Sequence, residues 1–289
     1  MDTVNLQTFI TAAELKSFSL AAEQLYLTQP AVSKRVATLE GELGSALFDR
    51  IGRRVSLTEA GRELLPRAKT ILREIEDSRR LISNLTGRVA GQLSIGTSHH
   101  IGLHRLPPAL KEFSKTFPDV ELELQFMDSE AACRAVQTGE LELGIVTLPL
   151  EPLTDLQSEL IWPDPLDIVV SHEHPLAKES RLDFQQLSQH PAILPSSGTY
   201  TRQLLERSIS KAGGKLSAGM TTNYLETIKM MVGVGLGWSV LPRSMLDKEL
   251  VALNVRGMTL TRQLGIVRHK ARTLSNAATA MISTLQSLR

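Results

Sequence analysis

The chain has 289 residues, 42% of them hydrophobic, and carries 32 Lys and Arg against 31 Asp and Glu for a formal net charge of +1. That length suits two or three domains rather than one, and the balanced charge excludes a globally basic nucleic-acid binder, so any field for DNA has to be local. The single cysteine, Cys133, excludes an internal disulfide and a cysteine-rich zinc site. The first residues lack a basic, apolar leader, and no segment approaches the roughly 20 apolar residues of a spanning helix, which together predict a cytoplasmic protein without membrane partners.

Leu6, Phe9, Ile10 and Ala13 recur at helical spacing and predict a first helix. The stretch SFSLAAEQLYLTQPAVSKRVATLEGEL, residues 17–43, then reads as two helices joined by a short turn. Thr28 is a good N-cap for the second, and Pro30 sits where its missing N–H costs nothing. Val32, Val36 and Leu39 give that helix an apolar face, while Gln29, Ser33, Lys34 and Arg35 lie off it. Amide, hydroxyl and cationic groups on such a helix suit base edges and phosphates of a major groove. Up to this point an ordinary helical hairpin with a wet polar face reads the same way. Residues 48–58 then offer β-capable sequence around Gly52, predicting a two-stranded wing with Arg50, Arg53 and Arg54 near its tip, placed to contact the DNA backbone.

From Thr58 a long helix is predicted. Leu64, Ala68, Ile71, Ile75, Ser78, Ile82 and Leu85 alternate steps of four and three, an a/d pattern over about three heptads that suits a pairing helix. Pro66 lies in its first turns as a possible kink. Beyond Gly91 the periodicity changes to strand–helix–strand order: strands over 92–97, 121–126 and 143–147, helices over 103–117 and 129–138, and a further strand over 166–171. Alternation continues to a late strand over 262–268 and a closing helix over 274–288, predicting a parallel sheet with covering helices.

In open sheets of this kind ligands collect beyond the carboxyl ends of the strands. Polar residues fall there in five places: Thr97-Ser98-His99-His100, Asp128-Ser129, Thr147, residues 195–202 from Pro195 to Arg202, and Thr222-Asn223-Tyr224. Hydroxyls, backbone N–H groups and Arg202 make a pocket for a small polar or carboxylate-bearing effector; about half of these residues also read as helix caps alone. His100 and His104 stand four apart on a helical face, but no neighbouring carboxylate completes a known metal pattern, so neither metal nor cofactor is expected. Gly233, Gly235 and Gly237 follow a helix and precede a strand, the reverse of a dinucleotide loop. His172 and His174 read as a structural turn and Cys133 as a buried small residue.

The segment SFSLAAEQLYLTQPAVSKRVATLEGELGSALFDRIGRRVSLTEAG resembles the N-terminal signature of LysR-type transcriptional regulators without a gap. The resemblance implies that Gln29, Pro30, Ser33, Lys34 and Arg35 face DNA, that Arg50, Arg53 and Arg54 are wing contacts, and that Ala21 and Ala22 let two helices approach closely. Lys34 stands where the family often carries Arg, which keeps the charge and loses the planar fork. It further implies a winged helix-turn-helix domain at 1–58, a dimerising linker helix at 59–88 and a two-lobed α/β effector-binding region at 91–289 resembling periplasmic binding proteins. Lobe I would comprise 91–163 and 268–289, and lobe II 164–267. For effector contacts the resemblance raises Ser98, Ser129, Ser197 and Thr199; with Thr97, His99, Thr147, Arg202 and Asn223 read from the strand ends they make the expected set, Ser98 foremost and Thr97 and Asn223 behind it. Expected partners are double-stranded promoter DNA, RNA polymerase and further copies in a homodimer or homotetramer. The alternative is an enzyme or transport-type binding protein with a helical extension, against which stands the absence of a catalytic constellation.

Overall fold

The computed structural model describes residues 1–51, 54–211, 213–214, 216 and 219–288, with the backbone alone for Arg50, Ile51, Arg54 and Ser83. The chain divides into two compact units, Met1–Leu85 and Thr86–Arg289.

In the first unit, α1 (Thr3–Leu15), α2 (Phe18–Gln24) and α3 (Gln29–Leu43) pack around Leu6, Phe9, Phe18, Val32, Val36 and Leu39. Asp2, Ser17 and Thr28 cap the three helices by accepting from the N–H groups of Val4, Leu20 and Ala31, each cap contributing about 1 kcal/mol. Ala21 is fully buried, which lets α2 approach its neighbours closely. β1 (Phe48–Ile51) and β2 (Arg54–Leu57) pair antiparallel from Phe48 opposite Leu57 to Ile51 opposite Arg54. Gly52 and Arg53, the expected wing tip, lie outside the described residues, as do the side chains of Arg50 and Arg54.

Thr58 opens α4 (Glu59–Asn84): its Oγ1 accepts from Gly61 N at 3.0 Å and donates to Ala46 O at 2.7 Å. Residue 61 has to be glycine, since a Cβ there would meet Leu47 O at 2.2 Å. α4 runs unbroken through Pro66. Its first half packs Leu64, Ala68, Ile71 and Leu72 on the helical core, whereas Leu81, Ile82 and Leu85 are exposed near its end. Among the described residues no helix is long and apolar enough to cross a membrane.

The second unit is built on a seven-stranded mixed sheet. It contains β3 (Gly91–Thr97), α5 (His99–His104), α6 (Leu106–Thr116), β4 (Val120–Phe126), α7 (Ser129–Thr138) and β5 (Leu143–Thr147). Then come β6 (Leu156–Ser171), α8 (Phe184–Ser188), β7 (Ile193–Leu194), α9 (Tyr200–Lys211), β8 (Met220–Thr221) and α10 (Leu225–Gly233). β9 (Ser239–Pro242), β10 (Leu250–Leu253), β11 (Leu260–His269) and α11 (Asn276–Ser287) complete it. The order is β10-β6-β11-β5-β3-β4, with β9 also on β6, and β7 and β8 form a separate short parallel pair.

β3 is parallel to β4 and β5, as expected, but β5–β11, β11–β6, β6–β9 and β6–β10 are antiparallel. The expectation of a parallel sheet therefore holds only where helices carry the chain back between strands. β11 lies between β5 and β6 and runs opposite to both, so β5 and β6 share a direction without pairing, and β9 and β10 also run opposite to β6. The helix expected over 103–117 is two helices, broken at Arg105 ahead of Pro107 and Pro108.

β6 and β11 run through both halves of the unit. Ile161, Trp162, Leu264 and Ile266 belong to one core with α6 and α11, and Val267 to a second beneath α7. Leu166, Ile168, Val170 and Leu260 belong to a third core around Trp238. The β6–β11 ladder shifts register between Leu264 and Gly265, where a Cβ would meet Glu159 O at 2.0 Å.

Candidate effector cleft and DNA-contacting helix

Where the strand ends of the two halves face each other, a cavity of about 370 Å³ opens. Ser98, His99, Ser129, Thr147, Thr199 and Asn223 of the expected residues line it. Ser98 precedes α5 at the N-cap position without a side-chain capping bond, so its hydroxyl is not committed there. Ser129 opens α7; its Oγ accepts from Thr147 N at 3.0 Å, leaving the hydroxyl proton to donate.

Three expected residues do not line the cavity. Thr97 is fully buried and its Oγ1 donates to Ile145 O at 2.8 Å, tying β3 to β5. Ser197 is exposed on its loop. Arg202 is buried on α9 and donates to Glu206 Oε1 at 2.6 Å.

The cavity also draws on residues that sequence reasoning left out, chiefly Arg262, His100, Glu130 and Tyr224. Arg262 comes from β11 and is 5% exposed. Its Nε donates to Asp164 Oδ2 at 2.6 Å, and Asp164, 1% exposed, also accepts from Arg105 Nη2 at 3.1 Å. Two guanidiniums thus share one buried carboxylate, leaving a positive surplus. Arg262 Nη2 has no hydrogen-bond partner among the described residues. Burial lowers the Arg262 pKa from its usual value, against the opposing pull of Asp164. Burial likewise pushes His100 down to about 4, reinforced by Arg262, so its imidazole is neutral at pH 7.

Side chains from both halves meet across the cavity rim. Asn223 Nδ2 donates to Asp128 Oδ2 at 2.7 Å while its Oδ1 accepts from Ser196 N at 2.9 Å. Glu130 accepts from the Tyr200 N–H at the start of α9, and burial raises its pKa. The His99 ring stacks on Phe126 at 5.3 Å and meets Tyr224 edge-on at 4.9 Å.

In the first unit Gln29 and Lys34 are exposed on α3, as is Pro30, and Ser33 is half-buried. Gln29 Nε2 donates to Ser33 Oγ at 3.0 Å. At about 3.6 residues per turn, Gln29 and Ser33 flank the buried stripe on one side and Arg35 flanks it on the other. Arg35 is half-buried and lines a groove with Thr3, Gln7, Leu25, Leu72 and Glu76. Tyr26, in the turn before α3, is 95% exposed with a φ of 53°. Its aromatic ring was absent from the expected contacts because it entered only as a break in helical rhythm.

Comparison with known proteins agrees with this architecture. Residues 4–62 match the family model for bacterial regulatory helix-turn-helix proteins of the lysR family, and residues 86–289 match that for the LysR substrate binding domain. The chain is 30% identical to the RuBisCO operon transcriptional regulator of Allochromatium vinosum over 95% of this chain and 92% of that one. Over 108 residues, 37% of this chain and 75% of the other, it is 63% identical to an HTH-type transcriptional regulator from the ibpB-leuC intergenic region of Azotobacter vinelandii. Full-length CbnR, solved with its target DNA, superposes with a TM-score of 0.69 at 19% identity, covering 100% of both chains. With helix-turn-helix helices, a long linker helix and a mixed α/β unit in that order, the chain belongs to the LysR family: it is a non-enzymatic, DNA-binding transcriptional regulator with an effector-binding domain.

Proposed function

We propose that this regulator senses a small carboxylate-bearing molecule in the cavity of the second unit and converts its binding into a change in how promoter DNA is held. Residues 1–58 would carry DNA contact, 59–88 dimerisation and 91–289 effector binding, with the lobe crossing on β6 and β11 near Asp164 and Arg262. Gln29, Pro30, Ser33 and Lys34 would face the major groove, with Arg35 on the flank and Arg50, Arg53 and Arg54 along the backbone. Two α4 helices would pair through Ile75, Ile82 and Leu85, and further pairing would give a tetramer on bent promoter DNA in the cytoplasm, within reach of RNA polymerase.

The observation that supports the effector class best is Nη2 of buried Arg262, without a hydrogen-bond partner among the described residues, in a cavity that Ser98, Ser129, Thr199 and Thr201 also line. A guanidinium of fixed geometry, with the hydroxyls of Ser98 and Ser129 in the same lining, selects a carboxylate over its amide. The test is thermal shift of the full chain with matched acid–amide pairs of small organic and amino acids. An acid should raise Tm where its amide does not, and Ser98→Ala should shrink that shift. Equal shifts from acid and amide would overturn the carboxylate assignment.

A further inference from the structure

A second constellation adjoins the cleft and shares His100 with its lining. His100 and His104 occupy adjacent turns of α5, their rings 4.8 Å apart. The carboxylate that the local sequence does not supply comes from α10: Glu226 Oε1 is 3.0 Å from His104 Nε2 and 4.0 Å from His100 Nδ1. One ligand atom from each residue lies within 4.8 Å of the other two.

An exposed His–Glu contact alone has little significance, and His104 and Glu226 are 46% and 39% exposed at their side chains. His100 is different. It is 4% exposed, and neither of its ring nitrogens has a hydrogen-bond partner among the described residues. Buried polar side-chain atoms with no partner are uncommon in folded proteins, and a neutral imidazole turned toward another imidazole and a carboxylate is a ligand set in search of a cation. The described ion pairs of Glu226 are with these two imidazoles; Lys229, three residues on along α10, pairs with Asp247 at 2.6 Å instead.

We propose that His100, His104 and Glu226 form a site for a late first-row divalent metal ion of the zinc type. Ligand bonds of about 2.0–2.1 Å at tetrahedral angles set donor atoms roughly 3.3 Å apart; the two Glu226 separations of 3.0 and 4.0 Å lie either side of that, all three donor atoms lie within 4.8 Å of one another, and closure on an ion draws them inward. Two imidazoles and one carboxylate suit Zn²⁺, Co²⁺ or Ni²⁺ over Mg²⁺ or Ca²⁺, which favour oxygen ligands. Three protein ligands leave a coordination position open. A cavity of about 640 Å³ lined by His104, Glu226 and Lys229 offers an entry path from solvent.

The position gives the ion a regulatory consequence. α5 follows Ser98 and His99, and α10 follows Asn223 and Tyr224, all four of them cleft residues. A metal joining α5 to α10 holds those two walls together, so occupancy of this site and of the effector cavity are coupled.

The test needs neither an effector nor DNA. Metal-free full-length protein is titrated with Co²⁺ and followed by its visible ligand-field absorption, then with Zn²⁺ by calorimetry. One ion per chain should bind with a tetrahedral cobalt spectrum. His104→Ala and Glu226→Gln, both at partly exposed positions, should each weaken binding by roughly tenfold or more while leaving the circular dichroism unchanged. His172→Ala, remote from the cluster in the sequence, should bind as the parent does. Absence of stoichiometric binding, or binding undiminished in both variants, would overturn the assignment, whatever the outcome of the effector screen.

Discussion

Cys133 sits 1% exposed on α7 next to Tyr200, and burial pushes its thiol up to about 11. At neutral pH its thiolate fraction is then on the order of one in ten thousand, and the thiolate is the form that reacts. Native protein treated with dilute peroxide or iodoacetamide should therefore keep Cys133 intact for an hour, while the urea-unfolded chain labels fully. Rapid labelling of the native chain would overturn the buried reading, and loss of DNA binding on peroxide treatment that Cys133→Ser abolishes would show a redox role. Cys133 reads as a small buried residue from its neighbours Ala131, Ala132 and Ala135, so local pattern suffices for it. Local pattern also located Ser98, His99, Ser129, Thr147, Thr199 and Asn223, because each ends or follows a strand or stands at the start of a helix. It missed Arg262 because what defines that residue is Asp164, 98 positions away in the sequence, and no periodicity encodes such a partnership. Glu226 escaped for the same reason: it meets His104 across 122 positions.

Among the elements, those whose identity is set by neighbours in sequence were legible. α7 occupies the span read from its pattern, with Gly139 closing it at a φ of 75°. β6 was read as its last six residues only, since Pro163 and Pro165 break strand pattern; the ladder to β11 tolerates them because pairing across the sheet, not propensity, fixes that strand. α4 was legible in period, and its burial divides in two. The first half spends its apolar face on the helical core, while Leu81, Ile82 and Leu85 are 50%, 69% and 82% exposed. Three exposed aliphatic residues near the end of one helix are costly in water, on the order of 1.5–3 kcal/mol each relative to burial. Ile82→Glu should then convert the proposed dimer to monomer in sedimentation at micromolar concentration, with little change in Tm of the separate units. Weaker operator binding should accompany it, since each half-site would bind alone. An unchanged sedimentation coefficient would remove α4 as the pairing element.

For the whole molecule, the near-neutral net charge and the local cations of α3 and the wing make opposite demands that a salt titration separates. Affinity that rests on a few phosphate contacts falls log-linearly with salt, with a slope set by the number of phosphates neutralised. Lys34→Ala and Arg53→Ala should each reduce that slope by about 1, the expected loss for one phosphate contact. Effector binding then enters as a separate, reciprocal term. A ligand that tightens operator binding tenfold, about 1.4 kcal/mol, has to bind tenfold more tightly to the DNA complex than to free protein. Asn223→Ala removes the Asp128 bridge across the cleft rim, so it should reduce this coupling while leaving the salt slope intact. Fluorescence anisotropy of labelled operator, with and without ligand over a range of salt, measures both quantities on one sample. A ligand that binds the cavity yet leaves DNA affinity and DNA bending unchanged would sever the proposed link between the two units.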